Sequence, residues 1–518
     1  MSTKTRGSIY ALLILIALGF RLFVALRLPN DEPDDGRVYS QIARNILEQH
    51  VYSIENQAPY TPTLIRLPGY PLFVAAIYSV FGHGNNTAVR VAQAVIDTGT
   101  CVLIALVAFV WPIHIRRKHR AAFVALALAA VCPFTAIYVA TILTEVPTNF
   151  LAVAMVLTAT FAFKATTRKR AIMWWIVTGF IAGIEVFFRP DSGLFAAAIG
   201  LTLMLPALSG FRKFREATMY AALFSIAFCL VLVPWTIRNR RLFHVFQPLS
   251  PAHAEMPGEF VPRGYLLWVR TWLDDQRYVA PALWAMDTRQ IHVEDFPARA
   301  FDSKEERDRV AALFEKYNHP DGDEADEQQS ADDQSDDSSG DEEEQPEEES
   351  EPEEHPEPPD ANVEMTPEID AGFAQIGQER VAHSRIRYYV VLPMKRAMTL
   401  WFDTHSQYYP FNGELLPLAD LDYDIHQQYW LPLFAGLTGI YTLLGVVGGW
   451  LLWRSRDPNA RRWLLLAALM IFLRLGFFAT LENPEPRYTV EFFPFLILLG
   501  AVGFSVVLDR ITGFTRSS

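Results

Sequence analysis

Apolar stretches of about 18 residues or more recur along the sequence and limit what the chain can fold into. A helix of that length crosses the ~30 Å hydrocarbon core of a bilayer, and it satisfies its own backbone hydrogen bonds there. The sequence therefore predicts an all-α polytopic membrane protein with about ten transmembrane helices. The predicted spans are residues 8–28, 87–113, 121–141, 146–164, 171–188, 192–208, 217–235, 430–452, 463–480 and 488–508.

Basic clusters between the apolar stretches predict the orientation of the helices. RRKHR from Arg116, KATTRKR from Lys164, FRKFR from Phe211 and RSRDPNARR from Arg454 fall in every second connection. The positive-inside rule assigns those connections to the cytoplasm, which predicts a multi-pass protein of the cell (inner) membrane. The extracytoplasmic segments are then residues 29–86, 142–145, 189–191, 236–429 and 481–487.

Two apolar runs need separate interpretation. The run 68–81 is short for a membrane span, and counting it as one would place alternate basic loops on opposite sides. We therefore predict an interfacial or re-entrant helix there. The first run, 8–28, is too long for the apolar region of a signal peptide and lacks a small-residue cleavage site, so we expect no cleavable signal.

One acidic tract accounts for the net charge of −13. Residues 321–360 contain 21 Asp and Glu and no Lys or Arg, so the rest of the chain is net positive. Few apolar residues there offset the chain entropy, which predicts disorder over 318–361. The tract interrupts an extracytoplasmic loop, 238–429. An N-terminal membrane module, 1–237, precedes this loop, and C-terminal transmembrane helices, 430–518, follow it.

The sequence lacks the motifs of several other functional classes. It contains neither a GxGxxG nor a P-loop, so nucleotide chemistry has no support. The cysteines Cys101, Cys132 and Cys229 all fall in apolar runs and suggest neither disulfides nor a Cys-based metal site. The histidines show no metal-ligand spacing, and we predict no metal site and no nucleic-acid partner. The segment SRIRYYVVLPMKRAMTLWF is basic and aromatic and is predicted to lie at the membrane surface.

Two acids in the predicted extracytoplasmic segments are candidate catalytic groups. Asp35 begins a stretch with apolar residues at helical spacing, which predicts an amphipathic helix, 35–49, along the membrane surface. Nearby aliphatic surface is expected to raise the pKa of Asp35. Glu145, in TEVPT, begins another predicted helix. Each acid has an alternative interpretation as a group that only stabilises a helix N-terminus.

Several short motifs occur in a fixed order on the predicted extracytoplasmic face. They are Asp35-x3-Tyr39-x3-Ala43, PTLIRLPGYPLF from Pro62, Phe81-Gly82 followed by Arg90, Glu145, RPD at Arg189, PWTIRN at Pro234 and EPRY at Glu485. Together they resemble the family 39-type polytopic glycosyltransferases of the C superfamily, which include protein O-mannosyltransferases and aminoarabinose transferases. The sequence departs from the family in two places. Glu145 replaces an acid that is often Asp, and the acidic tract has no recognised counterpart.

The resemblance implies a membrane glycosyltransferase that moves a sugar from a polyprenyl-phosphate-linked donor to an acceptor hydroxyl with inversion. It assigns Asp35 as the general base and Glu145 as a group that orients Asp35's partners or the acceptor. The implied substrate-binding residues are Tyr39, Arg66, Tyr70, Arg189, Arg238, Arg487 and Tyr488. For Arg66 and Arg487, snorkelling toward anionic lipid headgroups is the alternative interpretation to binding the lipid phosphate. The partners are the lipid donor, a glycan, lipid or protein acceptor, and the bilayer. No cofactor is predicted, and a role for a divalent metal stays open.

Two other functional classes are compatible with a polytopic chain: a transporter or flippase of a lipid-linked sugar precursor, and an inactive relative that serves in assembly. Transporters commonly show paired repeats and polar sites at the bilayer midplane. This sequence has no evident repeat, and its candidate acids gather at one membrane boundary. The pattern therefore favours the glycosyltransferase.

Charged and aromatic residues elsewhere raise further expectations. Asp97 and Glu185 lie within predicted spans, where ionisable groups are costly and are usually paired or functional. Arg21 and Arg474 are their predicted partners. Sugar stacking and interfacial anchoring are both open interpretations for Trp268, Trp272, Trp284 and Trp401.

Overall fold

A computed structural model describes residues 3–28, 34–111, 115–320, 363–404, 425–455 and 459–514. Within these ranges the regular secondary structure is helical, as the sequence predicts. The chain forms two compact units. Their bounds are Met1–Glu259, Leu400–Phe478 and Glu485–Ser518 for the first unit, and Phe260–Thr399 with Ala479–Pro484 for the second.

The first unit consists of helices joined by short connections. Its N-terminal part contains α1 (Thr3–Arg27), α2 (Asp34–Glu48), α3 (Gly69–Phe81), α4 (Asn86–Val110), α5 (Ile115–Ala130), α6 (Pro133–Ala136), α7 (Glu145–Phe163), α8 (Arg168–Val186), α9 (Gly193–Ala207) and α10 (Phe211–Phe243). Its C-terminal part contains, in the numbering used here, α15 (Ile425–Trp453), α16 (Ala460–Ala479) and α17 (Phe493–Phe514).

All ten predicted spans fall on helices, but they differ in character. In the described chain, eight helices are long and apolar enough to cross a membrane. The predicted span 121–141 is a bent pair, Lys118–Ala130 and Pro133–Ala140, with 54° between its halves. The predicted span 171–188 falls on α8, where RKR at the first turn and Glu185 near the end leave too short an apolar stretch. The eight helices are Thr5–Arg27, Asn86–Val110, Glu145–Phe163, Pro190–Ala207, Phe211–Phe243, Tyr429–Trp453, Ala460–Ala479 and Pro486–Ser505.

The bend between α5 and α6 has an identifiable cause. Pro133 has no backbone N–H, so it cannot donate to the Ala129 carbonyl as the next turn of a helix would. Arg21, from α1, takes over this role: its Nη2 donates to Ala129 O at 3.0 Å and its Nη1 to Ala130 O at 3.1 Å. Its Nε donates to Asp97 Oδ2 at 2.6 Å, which confirms the predicted Arg21–Asp97 pair.

Close contact between α15 and α17 depends on glycine. A Cβ on Gly448 would lie 2.1 Å from the Leu499 carbonyl oxygen, so a larger side chain would force the two helices apart. Small residues at such positions allow backbones to approach where lipid supplies no hydrophobic driving force. This contact fixes the start of α17, which lies next to the candidate site.

The second unit has its own aromatic core. It contains α11 (Arg263–Arg270), α12 (Lys304–Asn318), α13 (Pro367–His383) and the start of α14 (Leu392–Phe402). Trp268 and Trp272 are fully buried among Tyr265, Phe314 and Phe373. Both interpretations of these two tryptophans, sugar stacking and interfacial anchoring, are therefore wrong, because they pack a hydrophobic core. A Trp in a polar stretch of sequence does not by itself indicate whether its side chain lies at a surface or in a core.

The second unit contains fewer residues than the predicted loop 238–429. The helix α10 continues to Phe243, and residues up to Glu259 belong to the first unit. The acidic tract from residue 321 onward lies outside the described residues, so its disorder stays a prediction. The short predicted helix at 68–81 corresponds to α3, which has 13 residues.

Candidate active site

Asp35 lies in the first turn of α2, and the sequence places it there through helical periodicity. The buried side of α2 packs against α3, with Ala43 beside Tyr70, Val74 and Tyr78. This contact orients the start of α2, and the Asp35 side chain is about a quarter exposed. The amphipathic helix predicted at 35–49 is therefore present and holds Asp35 at its N-terminal end.

Asp35 is held between two arginines from distant parts of the chain. Arg66 Nη2 donates to Asp35 Oδ1 at 2.9 Å, and Arg487 Nη2 donates to Asp35 Oδ2 at 3.2 Å. Each carboxylate oxygen thus contacts its own guanidinium. Charge-assisted hydrogen bonds of this kind are stronger than neutral ones, so the two arginines fix the orientation of the Asp35 side chain.

The pKa of Asp35 differs from the sequence expectation. Burial raises it, as expected, but the Arg487 and Arg66 guanidiniums outweigh burial and hold the pKa of this carboxyl below its usual range. The expectation of a raised pKa is therefore wrong. It considered the aliphatic surroundings and could not include two cations that only the fold brings to the carboxylate.

Arg66 reaches this position through a close backbone contact. The Gly69 amide, three residues later at the start of α3, donates to the Phe187 carbonyl oxygen at 2.9 Å. A Cβ on Gly69 would lie 2.6 Å from that same oxygen, so only glycine allows the approach. The Tyr52 hydroxyl also donates to the Arg66 carbonyl oxygen at 3.1 Å. Together these contacts fix the backbone at Arg66 and just after it.

Glu145 lies at the start of α7 and is paired with Arg189. Arg189 Nη1 lies 2.9 Å from Glu145 Oε1 and 3.6 Å from Glu491 Oε1, and its Nε lies 3.3 Å from Asp191 Oδ1. Burial lowers the pKa of Arg189, but the carboxylates of Asp191, Glu491 and Glu145 outweigh it and raise the pKa. Arg189 is therefore a permanent cation that holds Glu145 in place.

Arg474 extends this buried network from α16. Its Nη2 lies 2.7 Å from Asp191 Oδ2 and its Nη1 lies 2.8 Å from Glu491 Oε2. The sequence predicts Arg21 and Arg474 as partners of Asp97 and Glu185. The ion pairs that the structure describes for Arg474 within 4 Å are instead with Asp191 and Glu491. Arg474 and Arg189 thus share Asp191 and Glu491, which ties the segment around Arg189 to α16 and to the start of α17.

The ring of Tyr488 lies between Arg487, which pairs with Asp35, and Arg189, which pairs with Glu145. The guanidinium carbons of Arg487 and Arg189 are each 5.4 Å from its ring centroid, and Phe478 stacks on it at 4.3 Å. Arg189 is also one of the cations that lower the pKa of Asp35. The predicted site residues from both ends of the sequence therefore form one electrostatic unit around Tyr488.

Tyr39 lies near the Asp35 charge and packs against Tyr70. Their rings meet edge to face at 5.0 Å, and the Tyr70 hydroxyl donates to Gln93 Oε1 at 2.8 Å. Burial and the Asp35 charge raise the pKa of Tyr39 to about 12. Its hydroxyl therefore stays protonated at neutral pH and is able to donate a hydrogen bond.

Arg238 differs from the other predicted arginines in its surroundings. Aromatic rings enclose it, with the Trp235 centroid at 4.5 Å and the Tyr52 centroid at 5.1 Å from its guanidinium carbon. Its Nη1 donates to Asn239 Oδ1 at 2.9 Å. Among the residues that the structure describes, no carboxylate lies within ion-pair distance of Arg238. Tyr52, which also donates to the Arg66 carbonyl, connects Arg238 with Arg66 and so with Asp35.

The structure brings the predicted site residues together. Arg238 has no direct contact with the other predicted residues among those described above and is linked to them through Tyr52. Sequence reasoning missed Glu491, Gln93 and Tyr52. Glu491 had a usable signal, because it is an acid inside a predicted span. Gln93 and Tyr52 carried none, since their roles depend on contacts with distant segments. Over the described ranges, no three His, Cys, Asp or Glu side chains converge as metal ligands would.

The chain is similar to known proteins in sequence. Residues 62–237 match the family model described as dolichyl-phosphate-mannose-protein mannosyltransferase. The undecaprenyl phosphate-alpha-4-amino-4-deoxy-L-arabinose arabinosyl transferase 2 of Proteus mirabilis is 28% identical over 230 residues. This match covers 43% of the chain and 39% of the relative, so the chain spans about two fifths of that relative's length.

Solved structures share the fold. One is the oligosaccharyltransferase of Archaeoglobus fulgidus tethered with an acceptor peptide, which has a TM-score of 0.51 at 12% identity and covers 100% of this chain and 51% of that one. A second structure, of the same organism's oligosaccharyltransferase with an inhibitory peptide and a dolichol-phosphate, also has a TM-score of 0.51 at 12% identity and covers 99% and 51%. At this identity the likeness concerns the fold alone.

Proposed function

We propose that this chain is a polytopic glycosyltransferase of the C superfamily and that it transfers a sugar from a polyprenyl-phosphate donor to an acceptor hydroxyl. The observation that carries the proposal is the Asp35 carboxylate between Arg66 and Arg487, at 2.9 and 3.2 Å. A base beside two cations suits a reaction in which a hydroxyl must lose a proton and a phosphate must leave. The names of the relatives, which contain undecaprenyl phosphate and dolichyl phosphate, support the donor class.

The site is proposed to face the extracytoplasmic side of the membrane. The basic clusters assign the connections that carry Asp35, Glu145 and Arg487 to the face opposite the cytoplasm. Nucleotide sugars are made and kept in the cytoplasm, so an enzyme on the other face needs a donor that arrives within the bilayer. A lipid-linked sugar meets this requirement.

In the proposed reaction, Asp35 accepts the proton of the acceptor hydroxyl. The hydroxyl oxygen attacks the anomeric carbon from the side opposite the phosphate, so the configuration inverts. The bond between the anomeric carbon and the phosphate oxygen breaks, and its electron pair stays with the lipid phosphate. Arg66, Arg487 and Arg238 stabilise that charge, and Arg238 is suited to it because no carboxylate among the described residues neutralises it.

Asp35 and the phosphate must then compete for the same two guanidiniums. A carboxylate that is paired twice and has a low pKa is a weak base. When the lipid phosphate binds Arg66 and Arg487, their hydrogen bonds to Asp35 weaken and the pKa of Asp35 rises. Donor binding would thus convert Asp35 from a paired carboxylate into an effective base, and deprotonation would follow donor binding.

Glu145 is proposed to act through Arg189. The pair at 2.9 Å fixes Arg189 beside Tyr488, and Tyr488 in turn contacts Arg487. Glu145 therefore acts through Arg189 and Tyr488 on the position of Arg487, which pairs with Asp35. Glu145 does not itself remove a proton. Tyr39 is proposed to contact the donor sugar. Tyr70 is fully buried, so it does not touch the sugar itself and instead supports the ring of Tyr39.

The proposal is tested with purified protein in nanodiscs that contain a labelled polyprenyl-phosphate sugar. When a membrane extract supplies acceptors, a glycosyltransferase releases free polyprenyl phosphate and moves the label to another molecule. A flippase leaves the donor intact. Recovery of the label only as intact donor, over many turnovers of transport, would exclude transfer.

A further inference from the structure

A row of large apolar side chains is exposed along one face of the segment Ser384–Phe402. This segment contains a π-helical turn, Arg387–Val391, followed directly by α14. Ile386 is 72% exposed, Met394 is 66% exposed and Met398 is 60% exposed. Tyr389 and Val390 lie in the same row and are also exposed. Contiguous apolar surface of this kind on a folded protein marks an interaction site.

The opposite face of the segment is anchored, so the apolar row has a fixed direction. Leu392 and Arg396 are buried. Arg396 Nε donates to the Leu273 carbonyl oxygen at 2.7 Å, and its Nη2 donates to the Arg270 carbonyl oxygen at 2.5 Å. These bonds tie α14 to the end of α11. The segment therefore cannot rotate to bury its apolar row without breaking them.

The charge of the segment favours an anionic partner. Ser384–Phe402 contains four basic residues and no acidic residue. Arg385 is exposed, directly beside Ile386. Lys395 pairs with Asp274 at 3.0 Å but remains 57% exposed, next to Met394. Cations that border an exposed apolar row are the pattern of a helix lying in the headgroup region of a bilayer.

The end of the segment is attached to a membrane helix. Trp401 Nε1 donates to Thr442 Oγ1 of α15 at 2.8 Å, and its ring lies 5.4 Å from that of Phe492. Tyr429–Trp453, within α15, is one of the helices apolar enough to cross a membrane. Trp401, which follows Met398 within the same helix α14, therefore packs against a helix apolar enough to cross a membrane, and this chain continuity favours a lipid surface over a soluble partner.

We propose that Ile386, Tyr389, Val390, Met394 and Met398 insert into the headgroup region of the bilayer, with Arg385 and Lys395 on the lipid phosphates. The surface thus serves as a membrane anchor for the second unit, in addition to the transmembrane helices. This inference does not depend on the reaction proposed above.

The test measures the surroundings of single spin labels on the full chain in proteoliposomes made from equal parts of phosphatidylcholine and phosphatidylglycerol. Met394→Cys and Met398→Cys are prepared in a Cys229→Ser background, since Cys101 and Cys132 are buried. Asp308→Cys, on an exposed face of α12, is the matched control in the same unit. Each label is tested for collisions with oxygen, which concentrates in lipid, and with a water-soluble nickel complex.

At positions 394 and 398 we expect oxygen collisions to exceed nickel collisions, and at position 308 the reverse. Nickel accessibility at 394 and 398 equal to that at 308 would overturn the proposal, because the face would then lie in water. Protection of both labels from both reagents would also overturn it, because protein would then cover the face. Since the substituted side chains are exposed, the variants are expected to fold.

Discussion

Asp35 carries the chemistry of the proposed site, and its environment comes from two arginines far apart in sequence. Arg66 precedes α3, and Arg487 precedes α17, yet each contacts one oxygen of the same carboxylate. The arrangement makes Asp35 anionic over a wide pH range and leaves its basicity under the control of whatever else binds these arginines. Both consequences can be measured.

The acid limb of the pH profile reports on this pairing. Arg487 and Arg66 lower the pKa of Asp35 despite its burial, and activity needs the deprotonated form. In Arg66→Ala one of the two cations is gone, so the pKa rises and the acid limb of kcat/KM moves to higher pH. The profile of kcat/KM is the measurement, because it reports the free enzyme.

Arg44→Ala is the matched control, since Arg44 lies on α2 about two turns beyond Asp35 and is not among the groups that shift its pKa. Its acid limb should coincide with that of the wild type. An unmoved limb in Arg66→Ala would show that a different group, and not Asp35, controls the profile.

At this scale the sequence predicted which residues matter better than it predicted what they do. The family motifs identified Asp35, Arg66 and Arg487 on one face, and the structure brings them together. The ion pairs to Asp35 were not predicted, because a contact across 452 positions leaves no local pattern. For the same reason the pKa of Asp35 was expected to move in the wrong direction.

Among the helices, α3 controls the position of Arg66 through a single glycine. In Gly69→Ala the added Cβ would lie 2.6 Å from the Phe187 carbonyl oxygen, and this backbone atom cannot give way cheaply. The start of α3 must therefore shift, and Arg66 shifts with it. A displacement near 1 Å can cost on the order of 10²-fold in rate, which a transfer assay would detect.

Gly19→Ala in α1 is the comparison, because no neighbouring atom lies within 4 Å of its added Cβ. We expect it to retain wild-type activity. Should Gly69→Ala transfer sugar at the wild-type rate, the contact with Phe187 would have no role in placing Arg66.

Arg21, at the bend between α5 and α6, is paired with Asp97, and a double-mutant cycle measures the strength of that pair. Removing one partner of a buried ion pair costs roughly 3–5 kcal/mol, because the other charge stays unpaired. We expect Arg21→Met and Asp97→Leu each to lower the thermal unfolding temperature in detergent. The double variant should lose less than the two single losses combined. Losses that simply add would show that the two residues do not interact.

Helix positions were the most predictable part of the structure. Hydropathy is a local property, and every predicted span falls on a helix. Pro133, which causes the bend, and the charged residues that shorten the apolar stretch of α8 are both visible in the sequence. The predicted spans rest on hydropathy and do not take these residues into account. The buried Trp268 and Trp272 were not predictable, because a compact core within a polar stretch is built by contacts between distant aromatic residues.

For the whole molecule, the central expectation is that the candidate site and the basic clusters lie on opposite sides of the membrane. His83→Cys and Lys118→Cys flank α4 and are tested in the Cys229→Ser background. In intact cells an impermeant maleimide should label position 83 and should label position 118 only after permeabilisation. This follows if α4 crosses the membrane once and α3 does not cross it.

Labelling of position 83 only after permeabilisation would show that α3 is a membrane span. The extracytoplasmic placement of Asp35 and Arg487 on one face would then have to be abandoned. The predicted disorder of the acidic tract stays a sequence-based expectation.

The most direct test of the account is Asp35→Asn, measured for both transfer and lipid binding. Asparagine keeps a polar side chain at the start of α2 but cannot accept the proton. Turnover should fall by on the order of 10²–10⁴-fold. Affinity for polyprenyl phosphate should hold or increase, because no carboxylate then competes for Arg66 and Arg487. Normal turnover in a folded Asp35→Asn protein would contradict the account, since Asp35 would then only stabilise a helix end.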